Sequence, residues 1–327
     1  MSDTFVSVVT PFHNTEKYLV ECIESVLAQS YDNFEYVLID NQSTDGSTGI
    51  AERYARKHDR IRLVHTDRLL PQVENYNFSL EQSSPSARYS KMVQADDWIY
   101  PNCLSEMVAV ADEHPSAGII GAYYLVEDQV VGSGIHPSRK LISGAEACRM
   151  HMLERVYLFG SPTSLLYRSD IVRSRRPFFA LGRLHEDTEA AFEILANSDF
   201  GFAHQVLSFS RGNPDSIMGR VRDFRPFDLD RFIIAKRYAH VYLTPDEAEQ
   251  CLNAATAEYY FGLAGHWIAD GFQMRDASYW DYQKRGLATV GETIRTNLLV
   301  RYASELAARR ALSPIELVKS LRERARR

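Results

Sequence analysis

Tyr89-Ser90-Lys91-Met92-Val93-Gln94-Ala95-Asp96-Asp97-Trp98-Ile99-Tyr100-Pro101 decides how the chain is read. Residues 89–93 form a short strand-like run that leads directly into two adjacent carboxylates. Pro101 suits the first turn of a helix, where an amide hydrogen has no partner to lose. Leu104, Met107, Val108 and Ala111 then fall on one helical face. Two aspartates on a loop after a strand are hard oxygen donors suited to Mg2+ or Mn2+. They also have a plainer use, as acids close to the positive end of the following helix.

Upstream, strands and helices alternate. Residues 5–10 are a β-branched run closed by Pro11. The next helix, capped by Asn14 or Thr15, carries Leu19, Cys22, Ile23, Val26 and Leu27 as one apolar stripe. Residues 34–39 are a second strand ending at Asp40-Asn41. A polar turn over 43–47 then opens a helix with Ile50, Ala51, Tyr54 and Ala55. A third strand over 61–64 and a short helix over 73–80 precede the strand at 89–93. This alternation predicts an open, mostly parallel α/β sheet. Ligands bind such sheets beyond the carboxyl ends of the strands. Three polar strand ends, at residues 11–14, Asp40-Asn41 and Asp96-Asp97, should therefore meet on one edge.

Downstream, Ser143-Gly144-Ala145-Glu146 has capping-box spacing. Residues 161–167 read as a loop feeding a strand, 186–196 as an amphipathic helix and 200–209 as the last strand. From about residue 215 only helices follow. Thr244-Pro245-Asp246-Glu247 and Ser313-Pro314-Ile315-Glu316 each combine a cap, a proline at the first helical position and a glutamate at the third. The expected organisation is an α/β domain over 1–215 and a helical domain over 216–327. Tyr259-Tyr260-Phe261, Trp267 and Trp280 are expected in the helical core.

A composition of 45% hydrophobic and 24% charged residues allows a sizeable core without disulfides or a structural metal. The net charge of −6 argues against nucleic acid, whose phosphates need a positive face. Cys22, Cys103, Cys148 and Cys251 are far apart, form no CxxC pair and read as reduced, buried thiols. Met1-Ser2-Asp3-Thr4 leads at once into an apolar strand, without the basic and apolar segments of a signal peptide. The longest uncharged apolar run, residues 117–126, is too short to span a bilayer. A cytoplasmic protein is expected, at most peripheral at the inner membrane face. A helix from Pro314 places Ile315, Val318 and Leu321 near Lys319, Arg322, Arg324, Arg326 and Arg327. It reads as a solvated basic tail or as a contact for anionic lipid. Neither GxGxxG after the first strand nor GxxxxGK[ST] anywhere is present, so a bound phosphate would need a cation instead.

Taken together, three segments resemble family-2 glycosyltransferases of the GT-A fold, in order and at that family's spacing. The first is Val6-Ser7-Val8-Val9-Thr10-Pro11-Phe12-His13-Asn14 followed by Cys22-Ile23-Glu24-Ser25-Val26-Leu27-Ala28-Gln29. The second runs from Phe34 through Asp40-Asn41 to Gly46-Ser47. The third is Lys91 to Pro101, which looks like the family's metal-binding segment. The likeness is strongest over residues 5–110 and weaker to about 215.

The resemblance implies a nucleotide-diphosphate sugar as donor, Mn2+ or Mg2+ as cofactor, and a glycan, lipid-linked or other hydroxyl acceptor. Pro11 and Phe12 would line the base pocket, Phe12 by stacking, and Asp40 and Asn41 would sit beneath base and ribose. Asp97 would be the principal metal ligand, with Asp96 facing the ribose or metal. His185-Glu186-Asp187-Thr188 resembles the family's catalytic-base motif, which makes Asp187 the expected base and Glu186 the second choice. First-turn acids are also ordinary helix-start residues. Asn14 closes the first of the family-like segments, Asn75 and Asn77 would hold the nucleotide loop or supply plain helix or loop polarity, and Arg211 would meet the diphosphate or form a surface salt bridge. Gly160-Ser161-Pro162-Thr163-Ser164 would shape the acceptor pocket or simply turn before a strand. Two positions depart from the family pattern: Asn41 and Gln94 stand where many members have aspartate. Two other functional readings stay open, a sugar nucleotidyltransferase and a non-catalytic nucleotide- or glycan-binding module. The helical domain would complete the acceptor site or mediate self-association into a homo-oligomer.

Overall fold

The computed structural model describes residues 3–182, 185–212 and 222–312. The chain folds as two units, Met1–Ser216 and Ile217–Arg327, each with a core of its own.

The first unit opens with β1 (Val6–Phe12), α1 (Glu16–Leu27), β2 (Phe34–Asp40), α2 (Ser47–Lys57), β3 (Ile61–His65), α3 (Gln72–Glu81) and β4 (Tyr89–Met92). It continues with β5 (Trp98–Ile99), α4 (Cys103–Glu113), β6 (Ala117–Val126), β7 (Gln129–Val131), β8 (Leu141–Ile142) and α5 (Gly144–Arg149). β9 (Leu166–Arg168), α6 (Ser169–Ser174), α7 (Glu186–Leu195) and β10 (Asp199–Ser210) complete it. These strands form one ten-stranded sheet in the order β3-β2-β1-β4-β9-β6-β10-β5, with β7 on β6 and β8 on β10. β1 pairs in parallel with β2 and β4, and β2 with β3. All seven residues of β1 are buried, as expected of a strand with helices on both faces. The stripe Leu19, Cys22, Ile23 and Val26 of α1 is wholly buried against this sheet.

The far half of the sheet is mixed. β6 and β10 run parallel, while β9 inserts antiparallel between β4 and β6. The apolar run over 117–126, noted in the sequence only for its length, is thus an interior strand. Ser143 caps α5 through the Glu146 amide at 3.1 Å. Asp96 and Asp97 do not cap α4, whose N-cap is Asn102.

The second unit contains α8 (Pro226–Tyr242), α9 (Pro245–Ala269), α10 (Ala277–Ala288) and α11 (Thr296–Leu312). Thr244 and Glu247 close a reciprocal capping box at the start of α9. Tyr259, Tyr260, Trp280 and Leu299 form the core of this unit, with Trp267 packed against it. The cap at Ser313 and the basic helix expected from Pro314 lie outside the described residues. Among the described residues, no helix is long and apolar enough to cross a membrane.

Candidate active site

The turn after β4 carries the two aspartates. Asp97 is only 4% exposed, whereas Asp96 is half-buried. Asp97 Oδ2 accepts from the hydroxyls of Thr163 at 2.6 Å and Ser210 at 2.9 Å. Its Oδ1 accepts from the backbone N–H of Arg211 at 3.0 Å. Burial raises the Asp97 pKa to about 7, the charge of Asp96 adds to the rise, and those three hydrogen bonds oppose it.

The donors come from two distant segments. Ser210 ends β10, and Thr163 lies in a short turn, Pro162–Ser164, before β9. Lys91, fully buried in β4, holds that turn by donating to the carbonyls of Thr163 at 2.8 Å and Leu165 at 3.2 Å. Desolvation pulls the Lys91 pKa below its ordinary value. Gln94 joins the same polar layer. It donates to the Tyr76 hydroxyl at 2.6 Å and accepts from Ser161 at 2.9 Å. The Ser161 hydroxyl lies 3.1 Å from that of Ser210. The segment 160–164, read from sequence as an acceptor-pocket wall or a turn, therefore supports Asp97 from below.

A second acidic pair enters from α7. His185 stands at its N-cap, Glu186 is buried and Asp187 half-buried, with Asp187 Oδ1 accepting from the Thr188 amide at 2.7 Å. Two buried tyrosines, Tyr124 and Tyr76, feel the charge of both pairs. After the dominant effect of burial, Asp187 and Asp97 both raise the Tyr124 pKa, and Glu186 and Asp96 both raise that of Tyr76. Burial, then Asp187 and Glu186, raise Tyr167 as well. The tyrosines have no short motif, and sequence reading passed over them.

A profile of glycosyl transferase family 2 matches residues 7–176, more than half of the chain. The chain belongs to that family. EpsE of Bacillus subtilis (strain 168), which carries a glycosyltransferase name, is 30% identical over 254 residues, 73% of this chain and 89% of EpsE. Glycosyltransferase GlyG of Streptococcus pneumoniae serotype 4 is 34% identical over 119 residues, 36% of this chain. The chain spans only 39% of GlyG. Among solved structures, S. aureus TarS 1-349 in complex with UDP-GlcNAc has a TM-score of 0.63 at 18% identity, covering 90% of this chain and 82% of that one. The mannosyltransferase PcManGT of Pyrobaculum calidifontis, in complex with GDP-Man and Mn2+, has a TM-score of 0.56 at 14% identity, covering 97% and 82%. At these identities the two structures establish the fold, an α/β sheet of GT-A type.

Within this family-2 glycosyltransferase, several residues expected at the nucleotide are engaged by the protein itself. Phe12 is 2% exposed and belongs to the main core, so its ring face is covered by protein rather than open to a base. The reason is its place as the last residue of a strand buried on both sides. Pro11, beside it, is also buried. Asp40 accepts from the Ser43 amide at 2.9 Å and the Thr48 hydroxyl at 2.6 Å, which pins the loop entering α2. Asn14, in the left-handed region at φ 52°, holds the same loop through the Thr44 amide at 2.7 Å. Asn41 grips the loop after β3. Asn77 is engaged within the protein in the same way. Its amide donates to the Phe179 carbonyl at 2.9 Å and accepts from the Phe179 N–H at 2.7 Å. Asn75 is buried, with a side-chain oxygen that has no hydrogen-bond partner among the described residues. Arg211 realises the salt-bridge alternative, with Nη2 2.6 Å from Glu21 Oε2 and Nε donating to the Asp96 carbonyl at 3.1 Å. Its guanidinium also lies over the rings of Tyr18 at 4.7 Å and Trp98 at 5.1 Å.

The donor set of the acidic turn suits a hard cation: two adjacent carboxylates, one destabilised by the other, ringed by hydroxyls. Among the described residues, no three His, Cys, Asp or Glu side chains form a self-contained cage.

Proposed function

We propose that this glycosyltransferase moves a sugar from a nucleoside diphosphate donor to an acceptor hydroxyl, with inversion and with a divalent cation, in polysaccharide assembly. The observation that carries this reading is the family-2 match over residues 7–176 with Asp96-Asp97 on the turn after β4, where Thr163, Ser210 and the Arg211 amide hold Asp97. TarS in complex with UDP-GlcNAc, and PcManGT in complex with GDP-Man and Mn2+, support the donor class and the cation. The name of TuaG of Bacillus subtilis, a relative in teichuronic acid biosynthesis that is 33% identical over 92 residues, supports the polymer.

In this proposal the half-buried Asp96 offers the direct contact to cation and ribose. Asp97, whose oxygens are already engaged, anchors the turn from behind, which reverses the order expected from the sequence. A bound Mn2+ or Mg2+ would neutralise the diphosphate as it departs. Asp187 takes the proton of the acceptor hydroxyl as that oxygen bonds to the anomeric carbon. The bond from that carbon to the diphosphate breaks on the opposite face, and the nucleoside diphosphate leaves. Glu186 and Tyr124 position the base.

The test is nucleoside diphosphate release from a panel of nucleotide sugars, with Mn2+, with Mg2+ and with chelator. Release from one donor, abolished by chelator and by Asp96→Ala, is expected. If no donor on the panel is either hydrolysed or bound, the proposal fails.

A further inference from the structure

A pocket of about 160 Å3 opens on the first unit, away from the acidic turn. The candidate site lies where β4 ends, at Asp96-Asp97. This pocket lies where β4 begins, lined by Ser83 and Pro85 of the preceding turn and by Leu80 and Glu81 at the end of α3. Its other wall is Val172 of α6 and the stretch from Arg173 to Phe178. It therefore sits at the opposite edge of the sheet.

The lining has two chemistries. Leu80, Val172 and Phe178 are buried and apolar. Above them stand three arginines against a single lining carboxylate, Glu81, in a chain whose net charge is −6. The guanidinium groups are unequally committed. Arg175 is bound to Glu193 at 2.6 Å and to the Phe178 carbonyl at 3.2 Å. Arg173 makes one contact, to the Ala87 carbonyl at 3.2 Å. Arg173 and Arg176 are both exposed, and no described residue pairs with Arg176. Two lining atoms, Arg175 Nε and Ser83 Oγ, are buried without a hydrogen-bond partner among the described residues. Both atoms are closed to solvent, so contacts to an anion fall to the exposed side chains of Arg173 and Arg176. An engineered cavity of about 150 Å3 holds benzene, so the apolar floor has room for a group of about six carbons.

From this geometry we infer a binding site for a small amphiphilic anion, a phosphate ester carrying a short apolar chain. The phosphate lies between Arg173 and Arg176, beside Arg175, and the chain lies on Leu80, Val172 and Phe178. The site is independent of the transferase chemistry proposed above.

Titration calorimetry on the full chain tests it with hexyl phosphate, inorganic phosphate and 1-hexanol. Hexyl phosphate should bind saturably at one site, inorganic phosphate about tenfold or more weakly, and hexanol not measurably. Arg173→Gln with Arg176→Gln changes only exposed side chains and should weaken hexyl phosphate about tenfold or more. Glu81→Gln should tighten it, because the opposing charge is gone. Absence of saturable binding, or an unchanged Kd in the double variant, overturns the site. Equal affinity for inorganic phosphate overturns the apolar half. Sedimentation with phosphatidylglycerol vesicles names the source: co-sedimentation lost in the double variant identifies a bilayer phospholipid, and hexyl phosphate binding without it identifies a soluble ester. Either result upholds the anion site.

Discussion

Asn41 holds Leu70 by both of its backbone groups. Asn41 Nδ2 donates to the Leu70 carbonyl at 2.9 Å, and Oδ1 accepts from the Leu70 N–H at 2.8 Å. Oδ1 also accepts from the Thr66 hydroxyl at 3.2 Å. One side chain thus fixes the loop from β3 into α3 against the end of β2. A side-chain amide suits this, since its nitrogen donates while its oxygen accepts. Asn41→Asp, which restores the residue common in the family, should destabilise the chain by about 1–3 kcal/mol by setting a carboxylate against a carbonyl. A lower denaturant midpoint at neutral pH is the expected result. An unchanged midpoint would show that the loop does not depend on this clamp.

Asp187 and Asp96 should separate in kinetics. Asp187→Asn keeps the shape and removes the proton acceptor, so turnover should fall about 10²- to 10⁴-fold while donor affinity is kept. Asp96→Asn should instead weaken cation-dependent donor binding. Calorimetry alongside the release assay distinguishes them, and full turnover in Asp187→Asn would remove that residue from the mechanism.

Gly160 has no room for a side chain. A Cβ there would run into the Tyr124 hydroxyl and the Tyr157 ring. The next residue, Ser161, is held at φ 39° and hydrogen-bonds Gln94. Gly160→Ala should cost about 1–3 kcal/mol and lower activity by displacing the turn beneath Asp97. A variant with wild-type midpoint and rate would show that the turn gives way freely.

Lys91 should leave a mark on the pH dependence of stability. Burial lowers its pKa from 10.5 in the folded chain. Between the lowered value and 10.5, the unfolded chain binds a proton that the folded chain has released, so raising the pH favours folding. Relative to Lys91→Met, the wild type should therefore gain stability as pH rises through that window, and lose this advantage as pH falls. Denaturant melts of both proteins between about pH 7 and the ordinary lysine pKa measure the difference. A difference independent of pH would mean that Lys91 stays charged in the fold.

By itself the sequence determined the local elements of the α/β unit and its family. Apolar β-branched runs and helical periodicity placed β1 to β4 and their helices, and the cap at Ser143 and the box at Thr244 formed because a cap needs partners only three residues away. The family segments identified the acidic turn and the acids of α7 for the same reason: each is contiguous. Tertiary structure decided what those residues touch. The insertion of β9 beside β4 brings Thr163 to Asp97, and β10 delivers Ser210 from 113 positions away. Asn77 meets Phe179 across 102 positions, and Phe12 is sealed by helices on both faces of its strand. Such pairings leave no periodic trace, because a hydrogen-bond partner supplied by another strand is set by strand order and register rather than by neighbouring residues.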